Sequence, residues 1–324
     1  MPPKVTFYTA DMIPCTGTWQ SAPGEVTKAV QHALSVGYKH IDAAYCYANE
    51  DEVGAGIAAA LKSGAIKRED LFVTTKLWCT YHTRVEEALD KSLKSLGLDY
   101  VDLYLMHWPV AMNPHGNHEK FPKLPDGSRD LSLDRPHIDT YLDMEKLLQT
   151  GRVKAIGVCN YSVRYLKALL PKVSVMPAVN QIENHPQLPQ WEVVEFCKSK
   201  GIHVTAYSPL GSTGSPLMEL PEVKAVAGKH KTSAGTILLS YHGMTLHVHF
   251  YDHFLITQVA RGISVLAKSV TPARIEQNRI IVQLDETDMS ALNKISQLAP
   301  KRYVYPEFGV DFGFPDKQGG IVVV

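Results

Sequence analysis

The sequence predicts an α/β fold, a single (β/α)8 TIM barrel with eight parallel strands. Short apolar runs rich in β-formers alternate along the chain with amphipathic stretches of helical period, which is typical of strand–helix units around a parallel sheet. Eight such runs and eight such stretches can be counted, and the length of 324 residues lies in the usual range of these barrels. No linker interrupts the alternation, so residues 1–324 are expected to form one domain.

Each predicted strand is short, and each predicted helix has apolar residues spaced to cover one face. Strands are expected near residues 13–17 and at residues 39–42, 71–76, 101–107, 155–159, 177–180, 203–207 and 264–267. Helices are expected at residues 24–36, 51–63, 83–96, 140–150, 163–170, 190–200, 221–229 and 233–242. The Pro- and Gly-rich segment 112–136 is expected to be a site-shaping loop, and the aromatic tail 300–324 an irregular substrate loop over a pocket.

The composition excludes several classes of protein. With 45% hydrophobic residues and 33 basic against 33 acidic side chains, the chain is neither disordered nor basic enough to wrap nucleic acid. No run of about 20 apolar residues is present, so no membrane span is expected. The first residues lack a secretory pattern, and the five cysteines are widely spaced, without a Cys-x-x-Cys pair. A cytoplasmic protein without disulfides is therefore expected.

Three strand-like runs carry a reactive side chain at their carboxyl end, namely Asp42, Lys76 and His107. In a (β/α)8 barrel these ends meet on one face, where catalytic groups lie. Tyr47 follows Asp42 by five residues and is expected to lean over the same face. Singly, such residues more often serve packing or a structural ion pair. Their joint placement favours a catalytic set.

The chemistry of this set is coherent. A phenol with a pKa of about 10 is a weak acid at neutral pH, and a neighbouring ammonium favours its ionised form. We therefore expect Lys76 to lower the pKa of Tyr47, and Asp42 to hold Lys76 charged and in place. A neutral His107 would orient a substrate oxygen while Tyr47 donates the proton, so the set would polarise a carbonyl group for hydride attack.

Two other patterns are rejected. Residues 54–59 (GAGIAA) match the spacing of a dinucleotide fingerprint, but they follow a helix start instead of a strand. His247, His249 and His253 have metal-ligand spacing, but only Asp252 lies near them as a further ligand, so no metal site is expected.

Three segments carry a resemblance to a known family. They are residues 37–47 (GYKHIDAAYCY) followed by Glu50 and Gly54, residues 151–161 (GRVKAIGVCNY), and residues 266–269 (LAKS) followed by Arg274, Gln277 and Asn278. In this order they resemble the three signatures of the aldo-keto reductase family, and the similarity runs from Trp19 to Asn278. Within the family, residues 18–20, 108–111 and 114–126 are most similar to fungal NADP-dependent glycerol dehydrogenases and aldehyde reductases.

The resemblance implies a barrel that binds NADP(H) without a Rossmann fold and uses Asp42, Tyr47, Lys76 and His107 as a proton-donating tetrad. It also implies how the cofactor is held. Asn160 and Gln181, beside a Cys159 that replaces the usual Ser, would hold the nicotinamide carboxamide, and Tyr207 would stack on the ring. The pyrophosphate would be followed by Ser208, Leu210 and Ser212. The 2′-phosphate and ribose would be met by Lys268, Ser269 and Arg274, and the adenine would lie near Gln277 and Asn278.

The residues themselves support the phosphate assignment. Lys268 and Arg274 flank a helix start at Thr271 and Pro272, which gives two cations and a helix N-terminus for one anion. NADP(H) should therefore be preferred over NAD(H).

The expected partner is a small carbonyl substrate. Trp19, Trp78 and Trp108 fall where members of the family place the aromatic walls of the pocket, which suits an apolar slot. The leading substrates are short hydroxyaldehydes such as glyceraldehyde, reduced to alcohols, or glycerol oxidised in reverse. The resemblance also implies a monomer.

One segment departs from the family. Relatives run directly from a helix such as residues 236–242 into residues 259–262, whereas residues 243–258 intervene here. The aromatic, nearly uncharged composition of this insert is unlike that of a surface loop. We hypothesise that it is translated noncoding sequence, such as a retained intron, and that it would impair folding or weaken NADPH binding.

Two alternatives stay open at the level of the sequence. A barrel glycosidase would use two carboxylates beside a sugar bond and would need Asp42 as a free acid. A nicotinamide-binding regulatory subunit with little turnover would keep the cofactor site but fail to oxidise NADPH.

Overall fold

The computed structural model describes residues 24–243 and 261–324, together with the backbone of residues 16 and 17. Within these residues a single sheet runs through the molecule in chain order, and every neighbouring pair of strands is parallel. The predicted α/β class with a parallel sheet is confirmed. The strands are β1 (Thr16–Gly17), β2 (His40–Asp42), β3 (Phe72–Leu77), β4 (Val101–Met106), β5 (Val153–Cys159), β6 (Val179–Glu183), β7 (His203–Tyr207) and β8 (Ser264–Val265).

The helices follow the strands along the chain, and the bounds of the eight predicted helices lie within three residues of the observed ones. They are α1 (Glu25–Ser35), α2 (Glu50–Ser63), α3 (Val85–Leu96), α4 (His137–Leu147), α5 (Val163–Leu169), α6 (Trp191–Ser199), α7 (Pro221–Lys229), α8 (Ala234–Ser240), α9 (Pro272–Gln277) and α10 (Glu286–Leu298). Within the described residues, no helix has the length and apolar character needed to cross a membrane.

Helix α10 was not predicted. Its start is fixed by a capping box in which the Asp285 side chain accepts the backbone N–H of Asp288 and the Asp288 side chain accepts that of Asp285. The box uses Asp where Glu or Gln is usual, so the common sequence signature is missing. Leu292 and Ile295 on this helix are buried against the cluster around α7 and α8.

The sheet is curled. In the strand order β2 and β6 are separated by three strands, yet the side chain of Gln181 on β6 donates a hydrogen bond of 2.8 Å to Asp42 on β2. Strands β3 and β6 are buried almost throughout, as parallel strands with covered faces are. Polar side chains on these strands are therefore enclosed, and their partners must also lie inside the sheet.

Helix α2 contains the glycines that mimic a dinucleotide fingerprint. A Cβ at Gly54 would lie 2.5 Å from the carbonyl oxygen of Leu96, and one at Gly56 would lie 2.8 Å from that of Thr27. These glycines allow α2 to approach its neighbours α1 and α3 closely. The rejection of a dinucleotide motif here is confirmed, since the residues lie inside a helix.

The C-terminal tail is irregular, as predicted, and is fixed to the sheet by one buried carboxylate. Glu183, at the end of β6, accepts hydrogen bonds from the backbone N–H groups of Tyr303 (2.7 Å) and Val304 (2.8 Å) and contacts His185 (2.9 Å). Farther along, Arg302 pairs with Asp316 through two nitrogens at 2.8 Å. These contacts bring the aromatic residues of the tail onto the carboxyl ends of the strands.

The described residues on either side of the insert 243–258 lie together. The insert from residue 244 onward lies outside the described residues, but the backbone N–H of Ile263 donates to the carbonyl of His242 over 3.2 Å. The His242 ring contacts the carbonyl of Asn184 (2.9 Å), and Arg261 donates to the side chain of the same Asn184 (2.7 Å). The chain therefore leaves and re-enters the fold at one point.

This junction has the geometry of an uninterrupted helix end. If residues 243–258 were removed, residue 259 would follow His242, Gly262 would be the fourth residue after it and Ile263 the fifth. Gly262 has a φ of +64°. In the Schellman motif at the end of an α-helix, the N–H of the fifth residue after a helical carbonyl donates to that carbonyl, and a glycine of positive φ comes just before the donor. The contact between His242 and Ile263 is therefore the one expected at a helix end in a chain without the insert.

We expect a chain that lacks residues 243–258 to fold with a free energy of unfolding higher by about 1–2 kcal/mol, because the entropy cost of closing a loop grows with its length. Urea unfolding and NADPH titration of both chains would measure this. A third chain with a Gly/Ser segment of equal length in place of the insert separates the effect of length from that of composition. Equal stability and equal cofactor affinity in the full and shortened chains would contradict the expectation.

Buried histidines should make the protein acid-sensitive. Burial is the largest cause that lowers the pKa of His40, His137 and His203 to about 4 and of His82 and His242 to about 3. The unfolded chain, with a histidine pKa of about 6.5, takes up protons first as the pH falls, so stability is present above this value and is lost between about pH 6.5 and 4.

Each such histidine should contribute up to about 1.4 kcal/mol per pH unit in this window. Urea midpoints measured across the window would check the fall. His82 is buried, with a relative exposure of 1%, so His82→Leu should make the fall shallower, whereas substitution of the exposed His115 should not. A midpoint that stays constant as the pH falls through the window would refute this account.

Candidate active site

The four residues predicted as a tetrad come from the carboxyl ends of neighbouring strands. Asp42 is the last residue of β2, Lys76 is next to last in β3, and His107 directly follows β4. Tyr47 closes a 3-10 turn at Tyr45–Tyr47, just after β2. Because the strands are parallel and in register, their ends bring these side chains to one place, as predicted.

Lys76 and Asp42 form a buried ion pair. The Lys76 ammonium donates to the Asp42 carboxylate and also to the carbonyl of Ala43 at 2.9 Å. The second carboxylate oxygen of Asp42 accepts from Gln181. Burial opposes the charged form of Lys76, but the carboxylate outweighs it and the pKa of Lys76 lies above its ordinary value. The ammonium is thus charged at any physiological pH.

Tyr47 lies against this pair. The Lys76 nitrogen is 5.2 Å from the centre of the Tyr47 ring, and the ring meets that of His107 edge to face with centres 5.8 Å apart. Burial raises the pKa of Tyr47 above its ordinary value, while Lys76 acts to lower it. Lys76 does lower the pKa of Tyr47, as expected, but burial raises that pKa by more. The phenol is therefore fully protonated at neutral pH.

His107 is neutral. Burial, followed by the charge of Lys76, holds the pKa of His107 well below its usual range. The Sγ atom of Cys46 lies 3.6 Å from its Nδ1 atom, and the indole of Trp78 packs on its ring with centres 5.1 Å apart. A neutral imidazole can exchange a hydrogen bond with a substrate oxygen without adding charge to the site.

The residues predicted around the nicotinamide lie on β5, β6 and β7. Asn160 directly follows Cys159, the buried last residue of β5, and its side chain donates to the carbonyl of His107 (2.9 Å) and accepts from the hydroxyl of Tyr207 (2.7 Å). The Gln181 amide nitrogen is committed to Asp42, and no hydrogen bond among the described residues occupies its oxygen. The structure thus brings Asn160, Gln181 and Tyr207 together beside the tetrad.

A loop after β7 carries the residues predicted for the pyrophosphate. Ser208 and Ser212 have positive φ values of 53° and 68°, and the turn between them is closed by a bond from the Gly211 N–H to the Ser208 carbonyl (2.9 Å). Leu210 in this turn packs on two apolar clusters. This irregular backbone is typical of a segment that binds a ligand through main-chain groups.

The residues predicted for the 2′-phosphate and adenine surround α9. Lys268 and Arg274 are exposed, and within the described residues neither forms an ion pair. Ser269 is buried and accepts the backbone N–H of Thr271 (3.1 Å), which fixes the turn before the helix. Gln277 ends α9 and Asn278 follows it. Two unpaired cations at one turn fit an anion.

The predicted aromatic walls are present in part. Trp78 and Trp108 are buried, and Phe308 of the tail packs on both, with ring centres 6.4 and 5.9 Å away. Trp19 lies outside the described residues. Sequence reasoning missed Phe121, whose ring centre is 5.2 Å from that of Trp78. It lies in the long loop 112–136, where no periodic pattern identifies the side chains that contact the site, and it is partly exposed.

Glu50 is a buried carboxyl residue close to the site. Its carboxyl group accepts from Thr75 (2.5 Å) and Ser92 (3.0 Å), and burial raises its pKa. Thr75 adjoins Lys76, so Glu50 supports the strand that carries the lysine. Within the described residues no group of three or more His, Cys, Asp or Glu is placed to hold a metal ion. His247, His249 and His253, at which no metal site is expected, lie outside the described residues.

The geometry weighs against the glycosidase alternative. That activity requires two available carboxyl groups beside the substrate. Asp42 accepts from both Lys76 and Gln181, so its oxygens are engaged.

Comparison with known proteins agrees with this geometry. Residues 14–297 match the model of the aldo/keto reductase family. The chain is 60% identical over 307 residues to the D-galacturonate reductase of Hypocrea jecorina, and the aligned region covers 93% of this chain and 94% of the relative. It is 46% identical over 300 residues to the glycerol 2-dehydrogenase (NADP(+)) of Saccharomyces cerevisiae, with 90% of each chain covered.

A solved structure has the same fold. The aldose reductase of Giardia lamblia superposes with a TM-score of 0.84 at 38% sequence identity, and the match covers 94% of this chain and 99% of that one.

Proposed function

Because this chain belongs to the aldo/keto reductase family, we propose that it catalyses the NADPH-dependent reduction of aldehydes to alcohols, and the reverse oxidation with NADP⁺. The leading substrates are short hydroxyaldehydes such as glyceraldehyde. The observation that carries the proposal is the placement of the Tyr47 phenol against both the buried Lys76 ammonium and the neutral His107 ring.

In this proposal Tyr47 donates the proton. Burial keeps its hydroxyl protonated in the resting site, so a proton is available at neutral pH. As the hydroxyl gives its proton to the substrate oxygen, negative charge develops on the phenol. The Lys76 ammonium stabilises that charge, and Asp42 keeps the ammonium in place. His107 orients the substrate oxygen through a hydrogen bond.

The residues present fit NADPH, which when bound supplies a hydride from its nicotinamide ring. The free oxygen of Gln181 and the amide of Asn160 suit the carboxamide, and Tyr207 offers an aromatic surface. In this proposal Ser208, Leu210 and Ser212 follow the pyrophosphate. Lys268, Ser269 and Arg274 suit the 2′-phosphate, with Gln277 and Asn278 toward the adenine, and Cys159 beside the nicotinamide.

We also propose that β8 closes onto β1 to complete a (β/α)8 barrel of one domain, with the tail 300–324 as its substrate loop. The order of the strands and the curl of the sheet support this. We propose that the protein is a cytoplasmic monomer. Cys46, Cys79, Cys159 and Cys197 are free thiols, which suits a reducing compartment. Light scattering of the purified protein would test the monomer.

Substitution Tyr47→Phe should lower kcat for aldehyde reduction by at least about 10²-fold, because it removes the proton donor. Affinity for NADPH should change little. The measurements are NADPH consumption over an aldehyde panel that includes glyceraldehyde, and fluorescence titration of the cofactor. Tyr45→Phe is the matched control, since the Tyr45 hydroxyl contacts Glu119 and Tyr81 instead. Near-normal turnover by Tyr47→Phe would exclude Tyr47 as the proton donor. If the wild-type protein reduces none of the aldehydes, the result would favour the alternative of a regulatory subunit.

Replacing Lys268 and Arg274 by Gln should weaken NADPH binding by about tenfold or more per residue, because charge-assisted hydrogen bonds to the 2′-phosphate are lost. NADH lacks that phosphate, so its binding should change little. Dissociation constants for both cofactors would be compared with those of Arg279→Gln, which removes an exposed cation just beyond α9. An equal loss for the two cofactors would indicate that these residues do not contact the 2′-phosphate.

A further inference from the structure

The loop after β7, residues 208–215, has an uncommon backbone conformation. Ser208, Ser212 and Ser215 have positive φ values of 53°, 68° and 50°. Residues other than glycine seldom adopt this left-handed region, and they stay in it only where the surrounding structure holds them there. The contacts that hold this loop therefore decide whether it keeps its conformation.

Hydrogen bonds within the loop give it its shape. The N–H of Ser215 donates to the carbonyl of Ser212 over 3.1 Å. The N–H of Leu217 donates to the carbonyl of Leu210 over 3.3 Å and closes the stretch from the other side. Because these bonds join residues of one short segment, they do not fix the segment against the rest of the protein.

The ring of Tyr303, from the C-terminal tail, packs on the backbone of this loop. A Cβ at Gly211 would lie 3.2 Å from a carbon of the Tyr303 ring and 2.9 Å from the side chain of Leu217. Gly211 also has a φ of +89°. Glycine is thus favoured here both by its conformation and by the close approach of the ring. Leu210 and Tyr303 pack on the same buried cluster around α7 and α8.

Tyr303 is itself fixed by the segment that follows β6. Its backbone N–H donates to the carboxylate of Glu183, and its hydroxyl donates to the side chain of Gln187 over 2.6 Å. Its ring meets that of His185 edge to face, with centres 5.4 Å apart. Both the backbone and the ring of Tyr303 are therefore held from the sheet, independently of the loop on which the ring packs.

We propose that Tyr303 is a positioning residue for the cofactor, whose ring keeps the loop 208–215 in its strained conformation and thereby slows the release of NADP(H). The inference rests on the proposed function, in which this loop follows the pyrophosphate. A strained segment relaxes when a contact that restrains it is lost, and opening of such loops often limits the release of a ligand. The tail then acts on the cofactor through Tyr303, in addition to its packing on Trp108 through Phe308.

The first test uses the protein without cofactor. In Tyr303→Ala, amide hydrogen exchange in residues 208–217 should be faster than in wild type by about tenfold, because local opening becomes easier. Tyr303→Phe loses the bond to Gln187 but keeps the ring on Gly211, so its exchange in this segment should stay close to that of wild type.

The second test measures release of NADPH by stopped-flow fluorescence, with excess NADP⁺ as the chase. Tyr303→Ala should raise the dissociation rate by about tenfold, with a smaller change in the association rate. Tyr303→Phe should restore slow release. Tyr305→Ala is the matched control, because this half-buried tail tyrosine donates to the carbonyl of Val310 and packs on Phe312 instead of the loop. Urea unfolding of each variant would show that it is folded under the conditions used, and Tyr303→Leu replaces Tyr303→Ala if the latter does not fold.

The inference is overturned if the folded Tyr303→Ala or Tyr303→Leu protein releases NADPH at the wild-type rate. It is also overturned if Tyr303→Phe or Tyr305→Ala releases NADPH as fast as Tyr303→Ala does, because the effect would then not depend on the Tyr303 ring. Failure of the wild-type protein to bind NADPH would instead overturn the proposed function, and the exchange measurement on the cofactor-free protein would still show whether Tyr303 holds the loop.

Discussion

The buried ion pair between Lys76 and Asp42 constrains the rest of the site. Removing either partner from a buried pair leaves an uncompensated charge and typically costs about 3–5 kcal/mol, so the strands that carry them must stay in register. Asp42 meets Lys76 from the neighbouring strand and Gln181 from a strand three places farther along the sheet. One carboxylate therefore ties together β2, β3 and β6 and holds the sheet in its curled form.

The same pair helps to set the protonation states of the groups around it. Lys76 is kept charged by Asp42, His107 is kept neutral by burial and by the charge of Lys76, and Tyr47 is kept protonated by burial. The site thus holds Lys76 and Tyr47 protonated and His107 unprotonated, and in the proposed reaction the phenol gives its proton. The stability of the fold and the direction of proton transfer therefore depend on the same few buried contacts.

Much of this could be predicted from the sequence because it depends on periodic strands. Polar residues at the ends of apolar runs must converge where parallel strands end, so Asp42, Lys76 and His107 were located without coordinates. What could not be predicted depends on contacts between distant segments. The net pKa of Tyr47 depends on how deeply neighbouring segments bury it. Helix α10 begins with a capping box made of two Asp residues, which lacks the usual sequence signature. Phe121 and Arg129 lie in a loop without a periodic pattern. The Schellman geometry joining His242 to Gly262 and Ile263 likewise needs coordinates, because the insert separates these residues in the chain.

The division between strands and loops also explains how one reaction can serve different substrates. Asp42 and Lys76 lie on strands whose register is fixed by buried charge, and Tyr47 and His107 follow strand ends closely, so small displacements there would separate the four groups. The hairpin with Lys123 and Arg129 and the tail with Phe308 lie outside these strands, and the tail is held by its backbone at Glu183 and by side chains such as Arg302 on Asp316. None of these contacts involves Asp42 or Lys76, so side chains on these segments can change without disturbing the ion pair. Selection on substrate choice is therefore expected to act on the loop and the tail, while Asp42, Tyr47, Lys76 and His107 stay as they are.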